Sequence, residues 1–231
     1  MLPTLHAGGA ERIMSFLAQN LNKDKFEVTL IINGLEEESK YKVTDCPVIF
    51  LNKRKVRDGI FSLFKVILHG RPQIVFSSIG DLNIVLGYIS TFFPSIKFVG
   101  RRAAISGVLR HLKESKYKKR NILGFDHLSF GIKRLDYHIC QSNDMKENLM
   151  RTHGISDKLI RVINNPITQT SQLKLNNSSE KIKKFITVGR LSMGKGHIRI
   201  LNSLSKLTFP YKYTIIGLSL IHISEPTRRH L

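Results

Sequence analysis

Short runs of β-branched and aromatic residues alternate along this chain with stretches whose apolar residues recur every three or four positions. Residues 8–22 read as a glycine loop followed by a helix, with Ile13, Phe16, Leu17 and Leu21 on one stripe. Strands are expected over 26–32 and 48–51, and a helix over 60–68 that Pro72 ends. A buried strand over 73–77, a helix over 81–92 and a strand over 97–100 follow. The rhythm continues with a strand at 134–141, a helix at 144–150 capped by Ser142 or Asn143, and a short strand at 161–163 closed by Asn164-Asn165-Pro166. This alternation predicts an α/β protein built on a parallel sheet.

The pattern breaks at residues 168–184, which are polar and carry Asn176-Asn-Ser-Ser179 without a sustained period. Residues 168–183 are therefore expected to link a first domain, 1–167, to the start of a second, 184–217. In the second domain the rhythm restarts as a strand at 184–188, a helix at 198–207 and a strand at 213–216. Both ends depart from the pattern. Only Met1-Leu-Pro-Thr-Leu-His-Ala precedes Gly8-Gly9, so most of a first strand is expected to be missing. Residues 218–231 resemble translated sequencing-adapter read-through and are expected to be a non-native tail.

Composition narrows the function classes. The 231 residues are 42% hydrophobic, which excludes a disordered chain, and carry a formal net charge of +20. Such a surplus favours anionic partners: nucleic acid, an anionic membrane surface or a phosphorylated ligand. Residues 101–134 concentrate it, with ten Lys or Arg against Glu114 and Asp126. That segment reads as an anionic contact or as a plain solvated face. A nucleic-acid module stays open as an alternative, although Tyr117 and Phe125 do no more than interrupt the basic run and no reading fingerprint accompanies them. Cys46 and Cys140 lack metal or disulfide spacing, and Cys140 is expected to be a buried strand thiol. No signal peptide or membrane-spanning run is legible, so a cytoplasmic setting is expected. None of the nine histidines has metal-ligand spacing, and no metal site is predicted.

The densest chemistry lies in Phe185-Ile-Thr-Val-Gly-Arg-Leu-Ser-Met-Gly-Lys-Gly196. A strand ends in a glycine, and Arg190 and Lys195 follow just before a helix. Such a turn brings two cations and free backbone N–H groups to a diphosphate. The segment nearly spells a P-loop, which makes a nucleoside triphosphatase the rival reading. A P-loop needs a hydroxyl for Mg²⁺ after its lysine, and Gly196 stands there. Gly8 and Gly9 open the first helix, where glycine permits positive φ and close approach to a ligand.

Gly8-Gly-Ala-Glu-Arg12, Val162-Ile-Asn-Asn-Pro-Ile167 and Val188-Gly-Arg-Leu-Ser-Met-Gly-Lys-Gly196, in that order, resemble the retaining glycosyltransferases of family 4. The resemblance covers about residues 1–217. It implies the GT-B fold: a Rossmann-like, parallel-sheet acceptor domain followed by a second Rossmann-like domain that holds a nucleotide sugar, here only its truncated start. It further implies that Arg190 and Lys195 are catalytic, neutralising the departing diphosphate without a metal or other cofactor. Gly8 and Gly9 match the loop that approaches the donor. Ser142 matches a polar position near the acceptor. Many relatives carry a histidine after the strand 98–100; here Arg101 and Arg102 replace it and take an acceptor-binding role. The acidic pair such enzymes carry further downstream has no counterpart in these residues, so the 231-residue chain itself is expected to be inactive. The implied partners are a nucleotide sugar and a glycan or lipid-linked acceptor for a surface polysaccharide. The implied location is the inner face of an anionic membrane.

Overall fold

The computed structural model describes residues 1–103, 126–166, 182–189, 191 and 193–217. The chain divides into two compact units, Met1–Thr168 and Gln169–Leu231. Within the first lie helix α1 (Gly9–Asn20), strands β1 (Leu30–Ile32) and β2 (Val48–Phe50), α2 (Ile60–Gly70), β3 (Ile74–Ser78), α3 (Gly80–Ser90) and β4 (Lys97–Arg101). After the undescribed stretch come α4 (His127–Lys133), β5 (Tyr137–Cys140), α5 (Asn143–His153) and β6 (Ile160–Val162). In the second unit, β7 (Lys183–Val188), α6 (His197–Leu204) and β8 (Tyr211–Ile216) form one β–α–β unit, with β7 and β8 parallel. Residues 168–181 of the expected linker and the expected tail at 218–231 lie outside the described residues.

Every described strand pair is parallel: β1 with β2, and β3-β4-β5-β6 in that order. Met1 and Leu2 join the two groups. Leu2 bridges Ile32 in parallel, and its N–H donates to the Ile31 carbonyl at 2.9 Å. On the other side the Met1 amino group donates to the Phe76 carbonyl, and Ser78 N–H donates to the Met1 carbonyl at 3.3 Å. Met1 and Leu2 thus sit between β1 and β3 in the sheet. Burial lowers the pKa of its amino group to about 5.

Alternation across this sheet sorts the core into two layers. Met1, Ile31 and Val75 face Leu63, Ile67, Leu82, Leu86 and Phe98, so α2 and α3 cover one face. Leu2, Leu30 and Ile32 face Leu5, Met14 and Ala18, so α1 covers the other. A further cluster of Ile132, Cys140, Leu149, Ile155 and Ile160 packs α4 and α5 at the far strands, with Cys140 fully buried as expected. Helices on both faces explain why the strands are apolar runs and not alternating ones.

Four local features differ from the sequence reading. The buried side of α1 is Ile13, Met14, Ser15 and Ala18, while Phe16 and Leu21 face solvent; the helix turns its Met14–Ala18 ridge onto Leu2 and Ile32. The strand expected from residue 26 begins only at Leu30, because pairing starts where Leu30 N–H meets the Pro47 carbonyl. A 3₁₀ turn, Val56–Gly59, precedes α2. Finally, α3 and α4 cross through two glycines: a Cβ on Gly87 would lie 1.7 Å from the Gly131 carbonyl oxygen.

Candidate functional site at the carboxyl edge of the sheet

In an open parallel sheet, ligands collect outside the carboxyl ends of the strands, where the order reverses. Here the order reverses between the Met1–Leu2 strand and β3. The two loops leaving that point are Pro3–Gly8, which leads into α1, and Ile79, which leads into α3. Ile79 adopts φ 79°, a conformation that a β-branched residue rarely takes. It aims the chain from β3 directly into α3.

A buried polar network runs from strand to strand along this edge. Arg101, at the end of β4, is 3% exposed. Its guanidinium donates to Ser78 Oγ at 3.1 Å, at the end of β3, and to Asn165 Oδ1 at 2.5 Å, just after β6. Asn165 Nδ2 in turn donates to Gln141 Oε1 at 2.9 Å, and Gln141 Nε2 donates to the Arg102 carbonyl at 2.8 Å. Beneath, Ser77 Oγ donates to Asn83 Oδ1 at 2.7 Å, and Asn83 Nδ2 donates to the Arg101 carbonyl at 3.0 Å. Four parallel strands are therefore tied together at one end by side chains.

Neutral oxygens hold this arginine. Among the described residues no carboxylate stands within ion-pair distance of Arg101 or Arg102. Burial lowers the pKa of both guanidinium groups, although neither loses its proton in the ordinary range. Behind Arg102 lies His138, 1% exposed, whose Nε2 has no hydrogen-bond partner. Burial first, and then the charges of Arg102 and His153, push the His138 pKa down to about 4. The edge thus concentrates positive charge in a desolvated setting, where a pair of fixed cations interacts strongly with an anion.

The sequence-predicted positions fall as follows. Arg101 and Arg102 both sit at this edge as buried groups, so the solvated-face alternative does not hold for these two residues. Lys133 and Arg134 are exposed at the end of α4, and residues 104–125 lie outside the described ones. Gly8 precedes α1 with φ −141°, and no positive φ occurs at Gly8 or Gly9. A Cβ at position 8 would meet only the tip of the Glu11 side chain, 2.1 Å from its Oε2. The Glu11 carboxylate folds back over the helix start, where Thr4 Oγ1 donates to it at 3.3 Å. Gly9 has open space around its Cβ direction. Ser142 caps α5, its Oγ accepting from Met145 N–H at 3.3 Å. Ser78, Asn83, Gln141 and Asn165 were given no role from the sequence. The available signal was polar residues at or just past the strand ends: Ser78 ends β3, Gln141 follows β5 and Asn165 lies three residues past β6.

In the second unit, Lys195 closes a 3₁₀ turn, Met193–Lys195, between β7 and α6. Its aliphatic stem lies 3.9 Å from the Cβ position of Gly189, so the lysine stands over the carboxyl end of β7. Gly189 N–H donates to the Ile216 carbonyl at 2.8 Å, fixing the turn to β8. Gly196 takes φ 70° and starts α6, so glycine is the residue that this turn accepts without strain. Arg190, the other predicted catalytic cation, lies outside the described residues. Among the described residues, no three His, Cys, Asp or Glu side chains converge as metal ligands.

Comparison with known proteins follows the same lines. Residues 7–170 match the family model described as Glycosyltransferase Family 4. Among curated proteins, the N-acetylgalactosamine-N,N'-diacetylbacillosaminyl-diphospho-undecaprenol 4-alpha-N-acetylgalactosaminyltransferase of Campylobacter jejuni is 25% identical over 229 residues. That match covers 93% of this chain and 60% of the relative. Among solved structures, the apo form of the lipopolysaccharide outer core galactosyltransferase WaaB superposes with a TM-score of 0.67 at 16% identity. It covers 93% of this chain and 58% of that one, and the likeness agrees with the expected GT-B fold class. The chain spans about 60% of the length of the curated relative it matches.

Proposed function

The chain belongs to glycosyltransferase family 4, and from that premise we propose that the protein serves transfer of a sugar from a nucleotide-diphosphate donor to a glycan or lipid-linked acceptor in cell-surface polysaccharide synthesis. The family match over residues 7–170 carries this reading. The relative's own name describes an acceptor built on diphospho-undecaprenol, which supports a lipid-linked acceptor here.

The proposed division of labour follows the chemistry of each edge. Lys195, on a strand–turn–helix whose backbone is locked by Gly189 and Gly196, binds the donor diphosphate together with Arg190. As the glycosidic bond to the diphosphate breaks, negative charge grows on the leaving oxygen. Fixed cations stabilise that charge more than they stabilise the bound substrate, which is what lowers the barrier. No metal or other cofactor is assigned to this role. Gly8 and Gly9 let a donor approach the start of α1, and a bound phosphate would displace the Glu11 carboxylate from it. Arg101, Arg102 and Ser142 are assigned to the acceptor side. The protein works at the inner face of the membrane, and among the described residues no helix is long and apolar enough to cross one.

The charge of +20 alone favours nucleic acid as much as a nucleotide sugar, and the family membership supports the nucleotide sugar. The test is a titration of the chain with uridine, guanosine and adenosine diphosphates, with and without EDTA, followed by amide chemical shifts. Saturable shifts around residues 189–197 that survive EDTA are expected. Binding that needs Mg²⁺ would point to the triphosphatase reading, and retention on DNA or RNA with no nucleotide response would point to the nucleic-acid reading.

A further inference from the structure

Arg101 and Arg102 are neighbours in sequence, both buried, and differ in what their side chains touch. The Arg101 guanidinium is held on two sides, by Ser78 Oγ and by Asn165 Oδ1. Arg102 is one position further on and turns to the other face of the sheet. Its charge acts on His138 and Cys140, which puts it on the side that α4 and α5 cover. The Arg102 backbone is fixed: its N–H donates to the Ile139 carbonyl at 2.8 Å, and its carbonyl accepts from Gln141 Nε2 at 2.8 Å. The guanidinium is not. Among the described residues it has no hydrogen-bond or ion-pair partner, although only 9% of the residue is exposed.

The acids of this side are engaged elsewhere. Asp126 caps α4, accepting from Leu128 N–H at 3.1 Å and Ser129 N–H at 3.2 Å. Asp136 accepts from Phe98 N–H at 2.8 Å and from Lys97 Nζ at 3.2 Å. Asp157 pairs with Lys146 at 2.5 Å, while Asp144 and Glu147 are exposed on α5. The nearby His138 does not compensate either. Its Nε2 has no partner, and burial together with the Arg102 charge keeps the imidazole neutral down to about pH 4. The fold therefore buries five cationic N–H donors and supplies nothing to receive them. Such a group is costly unless something outside the chain compensates it. Packing alone would favour an apolar side chain, as at Ile132 and Cys140 nearby.

We infer that Arg102 holds an oxyanion, a phosphate or a carboxylate, carried by the acceptor. That the anion belongs to an acceptor rests on the transferase reading; that an anion binds rests on the unpartnered guanidinium. A planar guanidinium meets either group through paired N–H···O bonds, which are stronger in desolvated surroundings than in water. A neutral sugar at the same place leaves the charge unpaired, so this one contact discriminates against uncharged acceptors. The subsite belongs to the first unit, whereas the donor diphosphate is assigned to Lys195 in the second.

Thermal melts and amide chemical shifts of the full 231-residue chain test this, with inorganic pyrophosphate, glucuronate and glucose as probes. At least one of the two anions is expected to raise the parent's melting temperature and to shift the amides of residues 100–103 and 138–142, and glucose to do neither. A response to pyrophosphate alone identifies a phosphate-bearing acceptor, and a response to glucuronate alone an acidic sugar. Arg102→Met should weaken this binding by about tenfold or more, and Arg102→Lys should keep part of it. Without ligand, Arg102→Met should melt above the parent, because it removes a buried charge that has no partner. Lys195→Ala should leave the shifts at 100–103 in place. No shift there with either anion, equal shifts with glucose, or shifts undiminished in Arg102→Met would overturn the oxyanion site. A ligand-free Arg102→Met that melts below the parent would do the same, by showing that the fold already compensates the charge. Uridine diphosphate titrated in parallel separates the two readings. Shifts at 189–197 with none at 100–103 would leave the transferase reading standing without this site, and anion binding at 100–103 with no nucleotide response would leave the site without that reading.

Discussion

The two units use one local pattern and reach different burial. In each, a β-branched run ends at a polar or glycine turn and feeds a helix that returns to a parallel strand. In the first unit Val75 of β3 is 3% exposed and Phe98 of β4 is 0% exposed, because helices cover both faces of a sheet several strands wide. In the second, Ile186 and Val188 of β7 are 63% and 74% exposed, and Ile216 of β8 is 51% exposed. Among its described residues Leu204 alone is a buried hydrophobic. Two strands and one helix cannot cover both sides of a sheet. Local pattern thus specifies the β–α–β turn that presents Lys195, while burial, at roughly 1.5–3 kcal/mol per large apolar side chain, depends on neighbours. The carboxyl edge of the first unit rests on a packed platform, and the lysine rests on a locally hydrogen-bonded turn.

Paired glycine substitutions should break this comparison most sharply. Gly87→Ala drives a methyl group to 1.7 Å from the Gly131 carbonyl oxygen, so α3 and α4 must part. Urea denaturation should show a loss of about 3 kcal/mol or more in the first unit. Gly189→Ala meets nothing closer than the Lys195 side chain at 3.9 Å and should shift stability by less than about 0.5 kcal/mol.

Acid should discriminate next. His138 is held at about 4 against 6.5 in the unfolded chain, and the Met1 amino group at about 5 against 8.0. The unfolded chain binds more protons across both windows, so stability rises with pH from about 4 to 8 and is lost as pH falls. The histidine's share, between pH 4 and 6.5, amounts to about 3 kcal/mol. His138→Leu should remove the histidine's share of the rise, as followed by urea midpoints at successive pH values, and leave the amino group's rise between about pH 5 and 8.

The buried arginine gives a smaller effect with an informative sign. Asn165→Ala removes one of the two neutral groups holding Arg101 and should cost about 1–3 kcal/mol. Arg101→Met deletes the buried charge itself and should cost less than the Asn165 change, or even stabilise. A thermal melt that ranks them the other way would make Arg101 a structural strut and weaken its assignment to acceptor binding.

Much of the scaffold was legible. Apolar period and turn residues located α2, β3, β4 and β5 to within a few positions, because each is a long run bounded by Gly, Pro or Ser. The side of α1 that is buried was not, since Phe16 and Met14 are both apolar and only the packing against Leu2 and Ile32 chooses between them. At the site, Arg101 was singled out as a cation, but its burial follows from Ser78 and Asn165, separated from it by 23 and 64 positions. No local pattern encodes such a contact. The extended backbone of Gly8 was not legible either, because its conformation depends on how the chain enters α1.

If Lys195 holds a diphosphate, the affinity of uridine or guanosine diphosphate must depend on it, measured for the parent chain and for Lys195→Ala in EDTA at two salt concentrations. The substitution is expected to weaken binding by about tenfold or more and to reduce its salt dependence, while Lys195→Arg retains most of it. Equal affinity in the parent and Lys195→Ala would rule out a diphosphate on this lysine.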